Sequence, residues 1–164
     1  MIQRIQTLWM AFVVLLTVAT FFFPLAIFSF DFKSLQFNEI YGLLPTKLTP
    51  EAMPLVQKTP AWSLIFMQLG IALISLVAIF LYKNRSLQLK VLSAAFLLLA
   101  IYVGYLFLYR IDGLSKEIAA IYSTPKVTYA VGCYFPILQL LLMILAQRAI
   151  RKDERLVRSS DRLR

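Results

Sequence analysis

Histidine is absent from the 164 residues, and cysteine occurs once, at Cys133. The first absence removes imidazole metal ligands, Ser-His and Cys-His nucleophile pairs and haem ligation by His. The second excludes an internal disulfide framework and any Cys-based metal cluster. Charge is also scarce: 15% of the residues are Asp, Glu, Lys or Arg, and 60% are apolar. A soluble domain has about 25% charged and about 45–50% apolar residues. Acids are the scarcer sign, eight against seventeen bases, which leaves a net charge of +9. No Gly-rich stretch of the phosphate-cradling kind occurs among the five glycines. The length is that of one domain. Together these values exclude a soluble globular domain, disorder, collagen and coiled coil.

The chain has instead four apolar runs, each about as long as a bilayer is thick. The pattern predicts an all-α integral membrane protein, a single membrane domain over residues 1–164. It would hold four transmembrane helices in an up-down bundle and a basic helical C-terminal tail over 148–164. The first run, 8–30, would be about 34 Å long as a helix, enough to cross a hydrocarbon core of about 30 Å. It is too long, and ends too aromatically at Phe28, Ser29 and Phe30, for a cleaved signal peptide. Pro24 is expected to kink it near its far end. The second span, 61–82, follows Thr59-Pro60, with Thr59 as N-cap and Pro60 in the first turn. The third, 87–109, has Ser86 as its cap and Asp112-Gly113 as its close, and the fourth, 126–147, repeats the Thr-Pro opening at Thr124-Pro125.

The largest segment outside the spans is 31–60. Leu35 and Phe37 alternate there with Ser34, Gln36 and Asn38, a short strand signal, and Pro45, Pro50 and Pro54 break anything longer. A compact cap over the helix ends is expected. Leu114, Ile118, Ile121 and Tyr122 recur at helical spacing opposite Lys116 and Glu117, as in a short helix lying on the membrane surface. Lys and Arg near the span ends set the orientation. The amino end, the second connection and the tail hold eleven, in short segments, and the other side six over longer ones. Both ends therefore belong to the cytoplasm. The excess positive charge belongs to that face, so specific nucleic-acid binding is not expected.

The cores of the spans carry no Asp, Glu, Lys or Arg, which argues against an ion-coupled pump, a proton relay or a voltage sensor. Gln68 and Gln139 lie at comparable depths in the second and fourth spans and are the candidate interhelical polar pair. The alternative is that both amides line a polar path. Ala100-x-x-x-Gly104 gives a small-residue face for close helix approach. Tyr102, Tyr105 and Tyr109 form a stripe, with Tyr122, Tyr129 and Tyr134 at the same level: an aromatic belt with some core packing, or a pocket for a lipid-like ligand. Cys133 reads as inert packing. Glu39 and Glu51 read as solvated loop carboxylates rather than an acid–base pair. No catalytic residue, metal ligand or cofactor site follows from any of these.

The tail carries seven bases, Arg148, Arg151, Lys152, Arg155, Arg158, Arg162 and Arg164, against three acids. Ala149, Leu156 and Leu163 recur every seven residues, which suits a helix with one apolar edge. The tail is a topology anchor and also a candidate docking element for anionic lipid of the cytoplasmic leaflet or for a membrane-protein partner.

The opening Met1-Ile2-Gln3-Arg4-Ile5-Gln6, the four spans, and the closing Ala149-Ile150-Arg151-Lys152-Asp153-Glu154 and Asp161-Arg162-Leu163-Arg164 resemble a family of four-helix inner-membrane proteins of Bacteroidetes, described only as a domain of unknown function. The resemblance covers essentially the whole chain. It implies a four-helix protein of the cytoplasmic membrane and supplies no reaction, substrate or catalytic residue. The expected role is a non-enzymatic accessory, scaffold or structural subunit; the alternative is a small passive carrier or pore for a neutral or lipid-like solute.

Overall fold

The computed structural model describes residues 3–30, 33–45, 60–121 and 124–161. Among them are four helices long and apolar enough to cross a membrane. A small antiparallel sheet, visible beforehand only at Leu35 and Phe37, sits at one end of them.

Helix α1 runs from Gln3 to Phe22, about 30 Å, and so reaches bilayer length without the residues after it. It stops where Pro24 has no amide to donate and disfavours a helical conformation at Phe23. Pro24 therefore ends the helix instead of kinking it, and the expected first span, 8–30, is too long at its far end. Strand β1 is Ala26–Phe30. It pairs antiparallel with β2, Lys33–Asn38, and β2 pairs with β3, Gly42–Pro45. The register sets Phe28 opposite Leu35, Ala26 opposite Phe37, and Phe37 opposite Leu43. All five side chains are buried in one cluster with the helical core, so the alternation of each strand seats one face of the sheet on the bundle. Gly42, at φ 67°, supplies the left-handed residue that lets the β2–β3 turn close.

Helix α2, Trp62–Phe80, begins without a side-chain cap; Thr59, expected there, lies outside the described residues. A 3-10 turn, Leu81–Lys83, leads to α3, Arg85–Tyr105, whose N-cap is Asn84 and not Ser86. Asp112-Gly113 does not close the third span. A π-helical stretch, Leu106–Ile111, carries the chain directly into α4, Asp112–Ile121. The buried positions show the effect: Leu99, Tyr102 and Leu106 follow helical spacing, then Ile111 comes five residues on, then Leu114 and Ile118. The extra residue turns α4 so that its apolar stripe still faces inward. Asp112 sits in the first turn of α4 and pairs with Lys116 at 2.7 Å.

The Thr124-Pro125 opening precedes a strand, β4, Lys126–Tyr129, which pairs with β1 and completes the order β3-β2-β1-β4. The last helix, α5, runs only from Tyr134 to Asp161, so the expected span 126–147 begins too early. The 3-10 turn before it, Val131–Cys133, is held by the Gly132 amide donating to the Pro24 carbonyl at 3.0 Å. A Cβ on Gly132 would stand 2.6 Å from that carbonyl oxygen and 2.9 Å from the one of Phe23, so only glycine fits. Helix α1 packs against α2 and α5, and α3 packs against the same two. The four form a closed ring with α2 and α5 on the diagonal. The helices also present large apolar side chains outward, among them Phe12, Leu15, Phe66, Leu73, Leu97, Ile101, Leu138 and Leu141.

Candidate functional site

Polar side chains inside this apolar bundle collect towards its two ends. Beneath the sheet, the β2–β3 turn delivers Glu39 inward. Its backbone carbonyl accepts from the Ala61 amide at 2.8 Å, which ties the turn to the start of α2. Its carboxylate Oε1 accepts a short hydrogen bond from the Tyr102 hydroxyl of α3. Both residues are fully buried, and Glu39 Oε2 has no hydrogen-bond partner. Burial pushes the Glu39 carboxyl from an ordinary 4.5 up to about 7, and the bond from Tyr102 holds the rise back. Glu39 is therefore not a solvated loop acid, and Glu51, its imagined companion, lies outside the described residues. Position 39 stands two residues beyond Phe37, but Asn38 between them is buried as well and Glu39 lies in the turn after β2, so strand alternation alone does not predict it.

Asn38 closes the same corner, its amide donating to the carbonyls of Phe21 and Phe23 at 3.1 and 3.3 Å while its oxygen accepts from the Ile40 amide at 2.9 Å. Arg110, on the π-helical stretch, sits 5.7 Å from the Phe37 ring centroid, a cation–π contact against the sheet.

The expected glutamine pair does not form. Gln139 donates to the Thr17 hydroxyl of α1 at 3.2 Å, and Thr17 passes its own hydrogen to the Val13 carbonyl at 2.9 Å. Neither polar atom of Gln68 has a partner. Both amides are fully buried, on helices that face each other diagonally, and Thr17 on the adjacent α1 is the nearer partner for Gln139. The tyrosine stripe splits at the π-helical stretch. Tyr102 is buried, Tyr105 meets Ser63 at 3.0 Å and stacks on Tyr109, and Tyr109 is exposed. Tyr129 packs on Phe107, Tyr134 is exposed, and Tyr122 lies outside the described residues. Cys133 is buried and free, as packing requires. Gly104 meets no atom within 4 Å of an added Cβ and Ala100 faces outward, so Ala100-x-x-x-Gly104 is not a contact face within the chain.

At the opposite end, Gln6 of α1 donates to the carboxylate of Asp153 on α5 at 2.6 Å, and Arg85 of α3 donates to the Asp153 backbone carbonyl at 3.1 Å. Gln88 donates to the Ala78 carbonyl at 2.9 Å. The tail bases emerge from this junction. Arg148, Arg151, Lys152 and Arg155 are exposed on α5, while Ala146, Ile150 and Asp153 face the bundle. The buried edge is thus not the one expected from Ala149. The side chains of Leu156 and Arg158, and residues Leu163, Arg162 and Arg164, lie outside what is described. Among the described residues no group of three His, Cys, Asp or Glu is placed to hold a metal ion.

A family model, Domain of unknown function (DUF4293), matches residues 2–163. No curated protein and no solved structure matches the chain.

Proposed function

The chain belongs to the DUF4293 family along nearly its whole length, and from that premise we propose that it is a multi-pass protein of the cytoplasmic membrane, with both termini in the cytoplasm, that works without catalysis as an accessory or scaffold subunit. One observation carries this reading. The bundle is apolar on its outward faces, and the amides at the depth of Gln68 and Gln139 are sealed from solvent. An outer surface of Phe, Leu and Ile suits lipid, and a sealed interior suits a body that holds its shape. The exposed bases Arg148, Arg151, Lys152 and Arg155 supply a docking face at one end for anionic lipid or an acidic partner. The Glu39–Tyr102 bond and the Ala61–Glu39 bond fasten the sheet to two helices at the other end.

A specific observation favours a second reading, the passive carrier: the unpartnered atoms of Gln68 and Gln139 Oε1 have hydrogen-bonding capacity to spare for a polar solute. One experiment separates the two. Reporter fusions after residues 45, 86, 118 and 164 should read outside, inside, outside, inside. The full chain in liposomes should then leave permeability to glycerol and urea at the protein-free rate. A flux that disappears on Gln68→Leu would replace the scaffold by the carrier, and fusions at 45 and 86 on the same side would overturn the topology.

A further inference from the structure

A cavity of about 430 Å³ opens between the start of α1 and the α2–α3 turn. Gln6, Thr7, Leu8 and Ala11 line it from α1, and Tyr82, Arg85 and Gln88 from the turn and α3. Leu8 and Ala11 are exposed within the stretch of α1 that is apolar enough to span a membrane. Tyr82 is exposed at the other wall, and its ring is of the kind that settles at headgroup level. The cavity is therefore apolar where hydrocarbon would lie and polar where the interface would lie.

Arg85 stands at the polar end, half-buried. Its only hydrogen bond among the described residues goes to a neutral acceptor, the Asp153 carbonyl, because the Asp153 carboxylate is turned towards Gln6. No described carboxylate lies within ion-pair distance of its guanidinium. A half-buried guanidinium with no carboxylate in direct contact has donors left for an anion, and its fork matches phosphate oxygens. Helix α3 begins at the same place, 21 residues long and without a side-chain cap at Asn84. Its first amides and its dipole add positive potential there.

We propose that this groove binds one anionic glycerophospholipid, its phosphate on Arg85 and the first turn of α3 and an acyl chain along Leu8 and Ala11. The proposal rests on the membrane reading above and gives the anionic-lipid partner a built site, separate from the exposed bases of α5. Lipid is the occupant, and not free phosphate, because the apolar part of the groove lies on the membrane-spanning stretch of α1 and continues outward into its lipid-facing side.

The test is native mass spectrometry of the full-length protein in mild detergent, titrated with dioleoyl phosphatidylglycerol and dioleoyl phosphatidylcholine in parallel. One phosphatidylglycerol should bind about ten-fold more tightly than phosphatidylcholine, the scale of one charge-assisted contact. Arg85→Gln should reduce that preference to within about two-fold and Arg85→Lys should restore part of it. Ala11→Phe, which leaves Arg85 intact and fills the groove, should lower the affinity for both lipids. An equal affinity for the two lipids, a preference that survives Arg85→Gln, or an affinity for both lipids that Ala11→Phe leaves unchanged would overturn the proposal. So would displacement of the lipid by millimolar inorganic phosphate, which would identify a soluble anion as the occupant. Flotation with phosphatidylcholine liposomes after carbonate washing is run alongside. A chain that fails to float refutes the membrane reading itself, whereas one that floats without lipid preference refutes only the groove.

Discussion

Glu39→Gln is the most informative single substitution, because it keeps an acceptor for the Tyr102 hydroxyl and removes the charge. Below pH 4.5 the carboxyl is protonated in both the folded and the unfolded chain. Between about 4.5 and about 7 the folded protein keeps a proton that the unfolded chain has already released. Stability therefore falls as pH rises through that window, and the whole loss is present above it. At about 1.4 kcal/mol per pH unit, the interval from 4.5 to about 7 corresponds to about 3 kcal/mol. Thermal melting of the detergent-solubilised protein reads this directly. Wild type and Glu39→Gln should melt together near pH 4.5, and the variant should melt several degrees higher at pH 8. Tyr102→Phe should act in the opposite sense, removing the hydrogen bond that eases the carboxylate's burial, and it should cost most at pH 8. A wild-type melting temperature that is flat or rising from pH 5 to pH 8, with Glu39→Gln following it, would refute the argument. It would mean that Glu39 ionises in contact with water or against a cation.

Four further substitutions test the packing of the bundle. Gln68 makes no hydrogen bond, so Gln68→Leu should raise stability by about 1 kcal/mol, whereas Gln139→Leu gives up one bond to Thr17 worth about 0.6 kcal/mol and should be close to neutral by melting. Gly132→Ala places a methyl group 2.6 Å from the Pro24 carbonyl oxygen and should cost about 1–3 kcal/mol by the same measurement, while Gly104→Ala, with nothing within 4 Å, should be silent.

The four membrane-length helices are legible in the sequence because length and absence of charge suffice to specify them. Their ends are less legible, for identifiable reasons. The run through Phe28, Ser29 and Phe30 is apolar whether it continues a helix or pairs as a strand, and what decides is the partner strand Lys33–Asn38 opposite it. Thr124-Pro125 reads as a helix opening, but Lys126–Tyr129 finds β1 first, and long-range pairing of that kind has no local signature. The π-helical stretch is invisible because one additional residue in an apolar stripe changes no composition. Glu39 was hidden for the same kind of reason. Its burial follows from the turn that ties it to Ala61 and Tyr102, and its loop setting, among prolines and a glycine, gave no local sign of it.

The distribution of polar contacts accounts for how so apolar a chain acquires a single arrangement. In the middle of the bundle Val13, Ile71, Ala95 and Met143 are buried against side chains no more apolar than lipid. Such layers fill space without fixing which helices are neighbours or at what height. The polar contacts carry that information, Gln139 with Thr17 within the bundle and the rest at its ends. Glu39 engages Tyr102, Asn38 the end of α1 and Ser63 Tyr105, while at the other end Gln6 and Arg85 both engage Asp153. Each bond joins different elements, so a one-turn slip of a helix breaks at least one of them, and at Glu39, Asn38, Gln6 or Asp153 that leaves a buried polar group unpaired. That penalty is on the order of 1–3 kcal/mol per group, and more for the carboxylates. Specificity in this bundle therefore resides in a few polar side chains, at the two ends and at the Gln139–Thr17 bond between α5 and α1. The central layers are accordingly the place where substitutions among Leu, Ile, Val and Met should be tolerated, and the junctions at Glu39 and Asp153 the place where they should not.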